Sequence, residues 1–396
     1  MNKKRFITFI GAGLFLINLF LSCNPSSTTV SQIGKHKTEQ YTINPKVYTE
    51  GFKNTQYSID SICSLHIPDN IIEIGIDKIS VTDDRIFILD TRITNKLYVF
   101  DNNGDLKTTI GERGNAKGEF IGKPDDFFVD KKKKLHVFDM IGHKIIVFDK
   151  NGYVDKVVET SDYFPLSFGL TSNNNYMMYF SVGHKNAEKE KEAPSSLLLL
   201  DPDCKKHKQI MASDGDLYCS VSIRTFYKDD ERLSFIPPFS DSVIVFRNDS
   251  VEKVVLFDFG GKILSKEMPE ALNQQDDYSF MSNYKGVLGL NRYHETDSLI
   301  YLEYIYQDQG ISWLYNKKNG QVVNGTNIFE GINPYSYYFI DGNRIIAYVD
   351  TETVKQLQQY YNNKSFQENL KKSPQQMKDL VEGKIKAPAL FFITIK

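Results

Sequence analysis

The chain has 396 residues, which is enough for one large domain or two ordinary ones. Its 48 Lys and Arg residues nearly balance its 50 Asp and Glu residues, so the formal net charge is −2. This balance excludes the broad basic surface that nucleic-acid binding requires, and we expect no nucleic-acid partner.

The first residues have the composition of an export signal. Residues 1–22 combine the basic start Lys3-Lys4-Arg5 with an apolar run from Phe6 to Leu21, which is too short and too early to be an element of the fold. Ser22 and Cys23 follow in a pattern that resembles a bacterial lipobox, in which the cysteine carries lipid and becomes the mature N-terminus. We predict a lipoprotein signal peptide over 1–22 and a lipidated Cys23 that binds the membrane, with a plain signal peptide as the alternative.

A polar stretch follows the signal. Residues 23–44 are rich in Ser, Thr, Lys and Gln and poor in apolar residues. This composition predicts a flexible tether between the lipid anchor and the folded part of the chain. The folded domain is then expected over 45–396.

Residues 79–159 contain one pattern twice. The apolar strand Arg85–Asp90 and the segment Lys96–Gly104 recur as Lys134–Asp139 and Lys144–Gly152. A repeat of roughly 40–50 residues made of short apolar strands is typical of a β-propeller blade. The Asn-Gly pair that ends each copy predicts a tight hairpin.

An aspartate follows an apolar run in each copy. Asp90 and Asp139 are both placed at the start of the link to the next strand. A carboxylate in such a position accepts backbone N–H groups and fixes the turn. We interpret both residues as structural, with contact to a ligand as the alternative.

The rest of the chain predicts four less regular units. The expected strands are 176–180, 196–200, 233–236, 242–246, 251–256, 298–306, 310–315, 344–349 and 389–395. Three irregular segments interrupt them: a charged loop at 183–193, a Pro-Pro loop at 237–238 and an insertion at about 351–385 with two short amphipathic helices. A spare strand near 57–67 would complete the sixth unit and remove free sheet edges.

These elements predict an all-β fold, a six-bladed β-propeller. It is closed by an N-terminal strand that completes the last blade, and the last blade carries a small helical insertion.

Two resemblances support this fold. Residues 111–152 resemble one NHL repeat, with a Gly-rich loop, Pro124, a strand that ends in Asp139 and a last strand followed by Asp149-Lys150-Asn151-Gly152. The whole chain, with its lipobox, its Pro-Pro-Phe-Ser-Asp-Ser-Val loop at 237–243 and its apolar last strand, resembles the six-bladed β-propeller lipoproteins of Bacteroides-type bacteria. That family has no settled activity, so the resemblance implies fold and envelope location and little chemistry.

The expected location is the cell envelope, on a lipid anchor in the outer membrane. Residues 24–28 lack the acidic run that resembles a surface-export signal, which favours the periplasmic face over the cell surface.

Cysteine and histidine residues suggest no metal site. Cys63 is expected in a core, and Cys204 and Cys219 are close enough in sequence to pair, although sequence alone does not establish a disulfide. No Cys-x-x-Cys or Cys/His spacing indicates zinc. His136 lies in the middle of a strand and is expected in a core, so we predict neither a metal nor a cofactor.

A ligand, if one is bound, is expected at one end of the ring. In a propeller, the links between second and third strands and the links between blades line one face and its central funnel. The polar residues placed nearest this face are Arg92, Arg113, Lys123, Asp125, His143, Arg224 and Asp241. Arginine suits carboxylate or sulfate groups, and Phe239, Tyr360 and Tyr361 suit stacking on sugar rings. The alternative for each polar residue is a surface or loop-fixing role.

The functional prediction is an envelope-anchored, non-catalytic binding or scaffold propeller. Its ligand would be a glycan or a partner protein on the funnel face. The alternative is a propeller enzyme of the lactonase, lyase or sugar dehydrogenase type acting on a carbohydrate-derived substrate. Such enzymes usually gather a metal or several carboxylates and histidines at the funnel, and this chain offers too few such residues for us to assign a catalytic one.

Overall fold

A computed structural model of the chain describes most residues from 36 to 395. The described ranges are 36–47, 57–68, 71, 73–161, 163–180, 195–212, 225–229, 231–238, 240–264, 284–307, 309–326, 338–341, 344–350, 353–355, 358, 375–385 and 388–395. Within these ranges no helix is long and apolar enough to cross a membrane.

The described chain forms six sheets, which we call blades 1 to 6. The N-terminal strands are β1 (Lys37–Thr42) and β2 (Tyr57–Ser64). Blades 1 to 3 contain β3 (Lys78–Val81), β4 (Ile86–Asp90), β5 (Lys96–Phe100), β6 (Leu106–Ile110), β7 (Asp126–Val129), β8 (Leu135–Asp139), β9 (Lys144–Phe148), β10 (Val154–Glu159), β11 (Ser167–Leu170), β12 (Tyr176–Tyr179), β13 (Ser195–Leu200) and β14 (His207–Ala212).

Blades 4 to 6 continue the same order. They contain β15 (Phe226–Asp229), β16 (Arg232–Phe235), β17 (Ser242–Arg247), β18 (Ser250–Asp258), β19 (Val287–Glu295), β20 (Leu299–Tyr306), β21 (Gln309–Asn316), β22 (Val322–Gly325), β23 (Tyr338–Asp341), β24 (Arg344–Val349) and β25 (Ala389–Ile395). The first strand of each blade is the innermost: β3 contacts β7 and β23, and β11 contacts β7 and β15, which in turn contacts β19. The predicted six-bladed β-propeller is confirmed.

Successive side chains of a strand point to opposite faces of its blade and pack against different neighbouring blades. In β4, Phe87 and Leu89 pack with Phe127 of blade 2, whereas Ile86 and Ile88 pack with Leu390 of blade 6. Because neighbouring blades cover both faces, these strands are apolar at successive positions instead of alternating with polar residues. The two Asn-Gly hairpins are also confirmed: Gly104 and Gly152 have φ angles of 84° and 87°, which glycine adopts without strain.

The N-terminal strand closes the ring as predicted. Blade 6 has the order β2-β25-β24-β23, and β2 pairs antiparallel with β25 from Tyr57↔Ile395 to Ser64↔Ala389. Ile59 and Ile62 of β2 lie in the same buried cluster as Phe391. The two ends of the folded chain are therefore held side by side in one sheet.

Residues 37–42 correct the predicted tether, because they form a strand. β1 pairs parallel with β18 and adds a fifth strand to blade 4. Composition did not reveal it because only Tyr41 of this strand is strongly apolar, and the surface that buries Tyr41 comes from residues far away in sequence. Residues 23–35 of the predicted tether lie outside the described residues.

The helical insertion of blade 6 is confirmed. Helix α1 (Gln375–Val381) lies between β24 and β25 and buries Met377, Leu380 and Val381 in the core cluster of blade 6. Of the first predicted helix, residues 353–355 and 358 are described and helical.

Ring closure makes a prediction about Ile62, which is 7% exposed. Ile62→Ala removes buried methyl groups and should lower the free energy of unfolding by about 2–4 kcal/mol. Because β2 completes the ring, the whole protein should unfold at lower denaturant in one transition, measured by circular dichroism and tryptophan fluorescence.

The matched control is Val322→Ala, since Val322 is 39% exposed on an outermost strand. It should change stability by less than about 0.5 kcal/mol. If Ile62→Ala leaves the main transition in place, β2 unfolds separately and does not hold the ring together.

Candidate functional site

Strand direction defines the face on which the candidate site lies. Strands within a blade are antiparallel, so the links between second and third strands and the links between blades share one end of the ring. We call this end the funnel face and the other end the opposite face. The described candidates all lie in funnel-face links: Arg92 in β4–β5, Arg113, Lys123 and Asp125 in β6–β7, His143 in β8–β9 and Asp241 in β16–β17. Arg224, Phe239, Tyr360 and Tyr361 lie outside the described residues.

Asp90 fixes the funnel-face link of blade 1. Its buried carboxylate accepts N–H groups from Gly75 at 2.9 Å, Ile93 at 2.8 Å and Thr94 at 2.9 Å. Burial acts to raise the pKa of Asp90, but the hydrogen bonds from Ile93 and Thr94 outweigh it and hold the pKa below its ordinary value. The structural interpretation of Asp90 is confirmed.

Asp139 fixes the β8–β9 link of blade 2 in the same way, and it also holds the β6–β7 link between blades 1 and 2. It accepts N–H groups from Ile121 at 2.8 Å and Gly122 at 3.2 Å in the β6–β7 link, and from Gly142 at 2.8 Å in its own link. Position 142 requires glycine, because a Cβ there would lie 2.2 Å from the Asp139 carboxylate. One buried carboxylate thus holds both links in a single arrangement, which confirms its structural role.

Arg92 and Lys123 are brought together by backbone and carboxylate contacts. Arg92 Nε lies 3.1 Å from Asp77 Oδ1, and its Nη2 donates to the Ile76 carbonyl at 3.1 Å. Lys123 Nζ donates to the carbonyl of Thr91, the neighbour of Arg92, at 2.7 Å. Both cations fix links, and the Arg92 side chain remains 51% exposed.

Arg113 belongs to the same group of cations. Its Nε donates to the Gly122 carbonyl at 3.0 Å, next to Lys123, and the residue is exposed. Arg113 is thus linked to Lys123 through Gly122, and Lys123 is linked to Arg92 through Thr91. The three positive charges border the funnel face of blades 1 and 2.

Asp125 is buried beneath this segment and is 3% exposed. Its Oδ2 accepts the Met140 N–H at 2.8 Å. Burial raises the pKa of Asp125 to about 6; the Met140 hydrogen bond and Lys123 oppose the rise, and the charges of Asp139 and Asp126 add to it. The contact to Met140 gives Asp125 the loop-fixing role that was its alternative.

His143 lies in the β8–β9 link of blade 2, next to the link that leads to blade 3, and has an unusual backbone conformation. Its φ is 48°, and its ring meets that of Phe164 edge-on at 4.4 Å between centroids. The Thr160 N–H donates to the His143 carbonyl at 2.7 Å. In the part of the chain that the structure describes, the buried atoms His143 Nδ1 and Thr160 Oγ1 have no hydrogen-bond partner.

Asp241 stands apart from this group. It lies in blade 4, two blades away from Asp125, and its carbonyl accepts the Phe257 N–H at 2.8 Å. The neighbouring hydroxyls of Ser240 and Ser242 bond each other at 2.6 Å. The structure thus places Asp241 on the predicted face but does not join it to the cations of blades 1 and 2.

The sequence did not reveal the apolar side chains of this face. Seven large apolar side chains are exposed in the described ranges, and four lie in funnel-face links: Ile93 (49% exposed), Ile121 (45%), Ile141 (59%) and Phe164 (38%). We call these four the apolar row. Ile141 lies over Gly122, beside Ile121, and Phe164 contacts His143. The sequence signal is weak, because three of the four are isoleucines in connecting links and Phe164 stands among the apolar residues Tyr163, Pro165 and Leu166.

The remaining three of the seven exposed apolar side chains lie elsewhere. Val47 and Val322 belong to the outer edge of blade 5, where the Asn324 side chain donates to the Val47 carbonyl at 2.9 Å. Tyr153 lies in the β9–β10 link of the opposite face. Grouped exposed apolar residues mark interaction surfaces more often than scattered ones do, so the row is the stronger candidate.

Three further residues answer earlier expectations. His136 is 5% exposed and its Nδ1 lies 2.9 Å from the Tyr176 hydroxyl, which confirms a core role. Cys63 is buried as expected, and Cys204 is a buried free thiol; Cys219, its predicted partner, lies outside the described residues. Among the described residues, no group of three or more His, Cys, Asp or Glu side chains is arranged to hold a metal ion.

The raised pKa of Asp125 predicts a pH-dependent stability. The pKa rises from an ordinary 3.8 to about 6 in the folded protein, so the folded state binds this proton more tightly than the unfolded state. The free energy of unfolding of the wild type, minus that of Asp125→Asn, should therefore fall by up to about 3 kcal/mol as pH rises from 4 to 7. Urea unfolding of both proteins across this range checks it, and a difference that does not change with pH would contradict the burial effect.

Comparison with known proteins supports the fold and adds little chemistry. No curated protein matches the chain. A putative exported protein from Bacteroides fragilis has a TM-score of 0.69 at 17% identity, with 91% of this chain and 100% of that chain covered. A DUF4221 family member from Bacteroides vulgatus has a TM-score of 0.49 at 10% identity, with 86% and 98% covered.

A virginiamycin B lyase from Staphylococcus aureus is more distant, with a TM-score of 0.38 at 12% identity over 74% of this chain and 82% of that chain. A family model described as a domain of unknown function, DUF4934, matches residues 69–383, which is most of the chain. The chain therefore belongs to the DUF4934 family.

Proposed function

We propose that this protein is a non-catalytic binding or scaffold propeller of the cell envelope, which holds a partner on its funnel face. The observation that carries the proposal is the apolar row of Ile93, Ile121, Ile141 and Phe164, exposed on one face of blades 1 to 3. Exposed apolar area is costly in water unless another surface covers it.

The links that present the row are held in place before any partner binds. Asp90 fixes the backbone at Ile93. Asp139 fixes the backbone at Gly142, the residue after Ile141, and at Ile121 in the neighbouring link. A partner would therefore order few loop residues on binding, which lowers the entropic cost of association. Loops held on a rigid scaffold are common sites of recognition.

The chemistry of the face favours a protein partner over a glycan. Three of the four side chains in the row are isoleucines, which offer apolar contact area without the flat ring that stacks on a sugar, and three cations, Arg92, Arg113 and Lys123, border the row. A partner segment with apolar side chains next to acidic ones would match both features. The aromatic residues that suggested a glycan lie outside the described residues.

An envelope location is part of the proposal. The similar protein from Bacteroides fragilis carries the description of a putative exported protein, and residues 1–23 have the pattern of a lipoprotein signal with its cysteine. We propose lipidation at Cys23, attachment to the outer membrane with the domain on the periplasmic side, and an NHL-like character for the blade at 111–152.

The apolar row makes a prediction about partner capture. Ile141→Asp places a charge in the centre of the row and should weaken binding of an envelope protein by about 10- to 100-fold, the equivalent of losing one buried isoleucine contact. The measurement is capture from an envelope extract on immobilised mature chain, followed by titration with the purified partner.

Tyr153→Asp is the matched control, because Tyr153 is 73% exposed and lies on the opposite face. It should bind like the wild type. Equal losses in both variants, or none in either, would remove the row from the binding surface. A captured glycan would change the ligand class, and release of a chemically altered ligand would assign the protein to the enzymes.

A further inference from the structure

Strand β1 determines where the N-terminal segment leaves the ring. It runs parallel to β18, in register from Lys37↔Lys253 to Thr42↔Asp258. β18 starts at the hairpin turn of the opposite face, and it ends at the funnel face, where the Phe257 N–H donates to the Asp241 carbonyl. Lys37 therefore lies toward the opposite face, and the chain from Lys37 onward runs toward the funnel face.

Aromatic packing holds β1 in this position. The ring of Tyr41 lies 5.9 Å from Phe257, 5.5 Å from Trp313 and 5.3 Å from Tyr315, between centroids. Ile43 follows and is 3% exposed. Burial is the main reason that the pKa of Tyr41 rises to about 12, with a smaller contribution from the Glu39 charge. The side chains of Tyr41 and Ile43 thus pack into the core between blades 4 and 5.

A buried ion network secures the same strand near the opposite face. Lys253 is 5% exposed, and its Nζ lies 2.8 Å from Glu39 Oε2 and 2.6 Å from Glu295 Oε1. One ammonium therefore joins β1, blade 4 and blade 5. Although burial acts to raise the pKa of Glu39, the hydrogen bonds from Lys253 and Lys37 lower it to about 2, so this contact stays charged across the physiological pH range.

The segment after β1 continues around the outside of the ring. The Asn324 side chain of blade 5 donates to the carbonyls of Asn44 at 3.4 Å and Val47 at 2.9 Å, and β2 then completes blade 6. The described parts of the chain from Lys37 to Ser64 are therefore bound to blades 4, 5 and 6, and the chain before Lys37 is the segment that leads from the domain toward Cys23.

The opposite face carries charged links and one exposed aromatic side chain, Tyr153, but no row of apolar side chains in the described residues. Its links carry paired charges, such as Lys131 with Glu231 at 2.8 Å and Lys134 with Asp155 at 2.7 Å. The apolar row lies at the other end of the same blades. Attachment and recognition are thus separated along the axis of the ring.

We infer that the protein turns its opposite face toward the surface that holds its N-terminus and presents the funnel face outward. The partner is then a molecule that approaches from the side away from that surface, and not the membrane itself. A relaxed chain of the length between Cys23 and Lys37 spans about 20 Å, which keeps the opposite face close to the anchor. The identity of the outward face as the binding face rests on the proposed function, whereas the orientation rests on β1 and on attachment of the N-terminus to a surface.

The test attaches the chain at its N-terminus and measures which face is near the membrane. A hexahistidine tag placed before Asn24 binds vesicles that contain nickel-chelating lipid and an acceptor-labelled lipid, so natural lipidation is not needed. A donor dye is placed at Ile141→Cys on the funnel face or at Tyr153→Cys on the opposite face, in a Cys219→Ser background. The native thiols Cys63 and Cys204 are buried.

These two positions are well matched. Both lie in blade 2 at opposite ends of β9, separated by about 17 Å of strand length, and both are more than half exposed. Energy transfer to the lipid acceptor should be at least twofold greater from position 153 than from position 141. Equal transfer, or greater transfer from position 141, would overturn the inference.

A third protein tests the role of β1. Tyr41→Ala combined with Glu39→Lys should detach the strand and reduce the difference in transfer between the two positions, with ring folding checked by circular dichroism. If these substitutions unfold the ring, the two dye positions in the otherwise unchanged chain still decide the orientation. Because no partner is present, failure of partner capture would not affect this result.

Discussion

The ring depends on one pairing, that of β2 with β25. Each blade buries both of its faces, so blade 1 needs blade 6 as a neighbour, and the cluster between them contains Cys63 and Leu65, residues at the end of β2, together with Ile88 and Leu390. Without β2, blade 6 would show an unpaired edge at β25 and the cluster would lose one wall. Closure by an N-terminal strand couples the two chain ends within one sheet.

The same N-terminal segment also covers a second edge. β1 pairs with β18 of blade 4, its Glu39 binds Lys253 of the same blade, and its Tyr41 side chain reaches across to Trp313 of blade 5. A parallel strand added to an antiparallel blade is stabilised mainly by these side-chain contacts. The described parts of this segment therefore lie against blades 4, 5 and 6, and β1 determines the direction from which the preceding chain arrives.

Sequence reasoning succeeded where the signal is local or periodic. The repeat of strands, the Asn-Gly turns and the aspartates at 90 and 139 all follow from residue types at fixed spacing, and the structure confirms them. β1 was assigned to the tether because the surface that buries it, Phe257 and Trp313, lies more than two hundred residues away. Local composition carries no trace of such a contact.

The sequence predicts where the candidate site lies but not which type of side chain forms it. Arg92, Arg113, Lys123 and Asp125 do lie together on the funnel face, yet each makes contacts that fix the links. The isoleucines were not identified because pattern reasoning assigns apolar residues to the core by default. Whether a single isoleucine in a polar link is buried or exposed depends on how that link folds back onto its blade, which only the structure reveals.

Blades 1 and 2 combine two features that oppose each other energetically. A fully buried carboxylate such as Asp90 or Asp139 must lose its hydration, and only several backbone N–H groups offset that loss. The links fixed in this way hold isoleucine side chains in water, where they gain nothing for folding. Neither feature is needed to close a blade, since blade 3 pairs its strands without an aspartate after β12. Rigid links that expose apolar side chains beside cations therefore favour a preformed contact surface over a structural need of the ring.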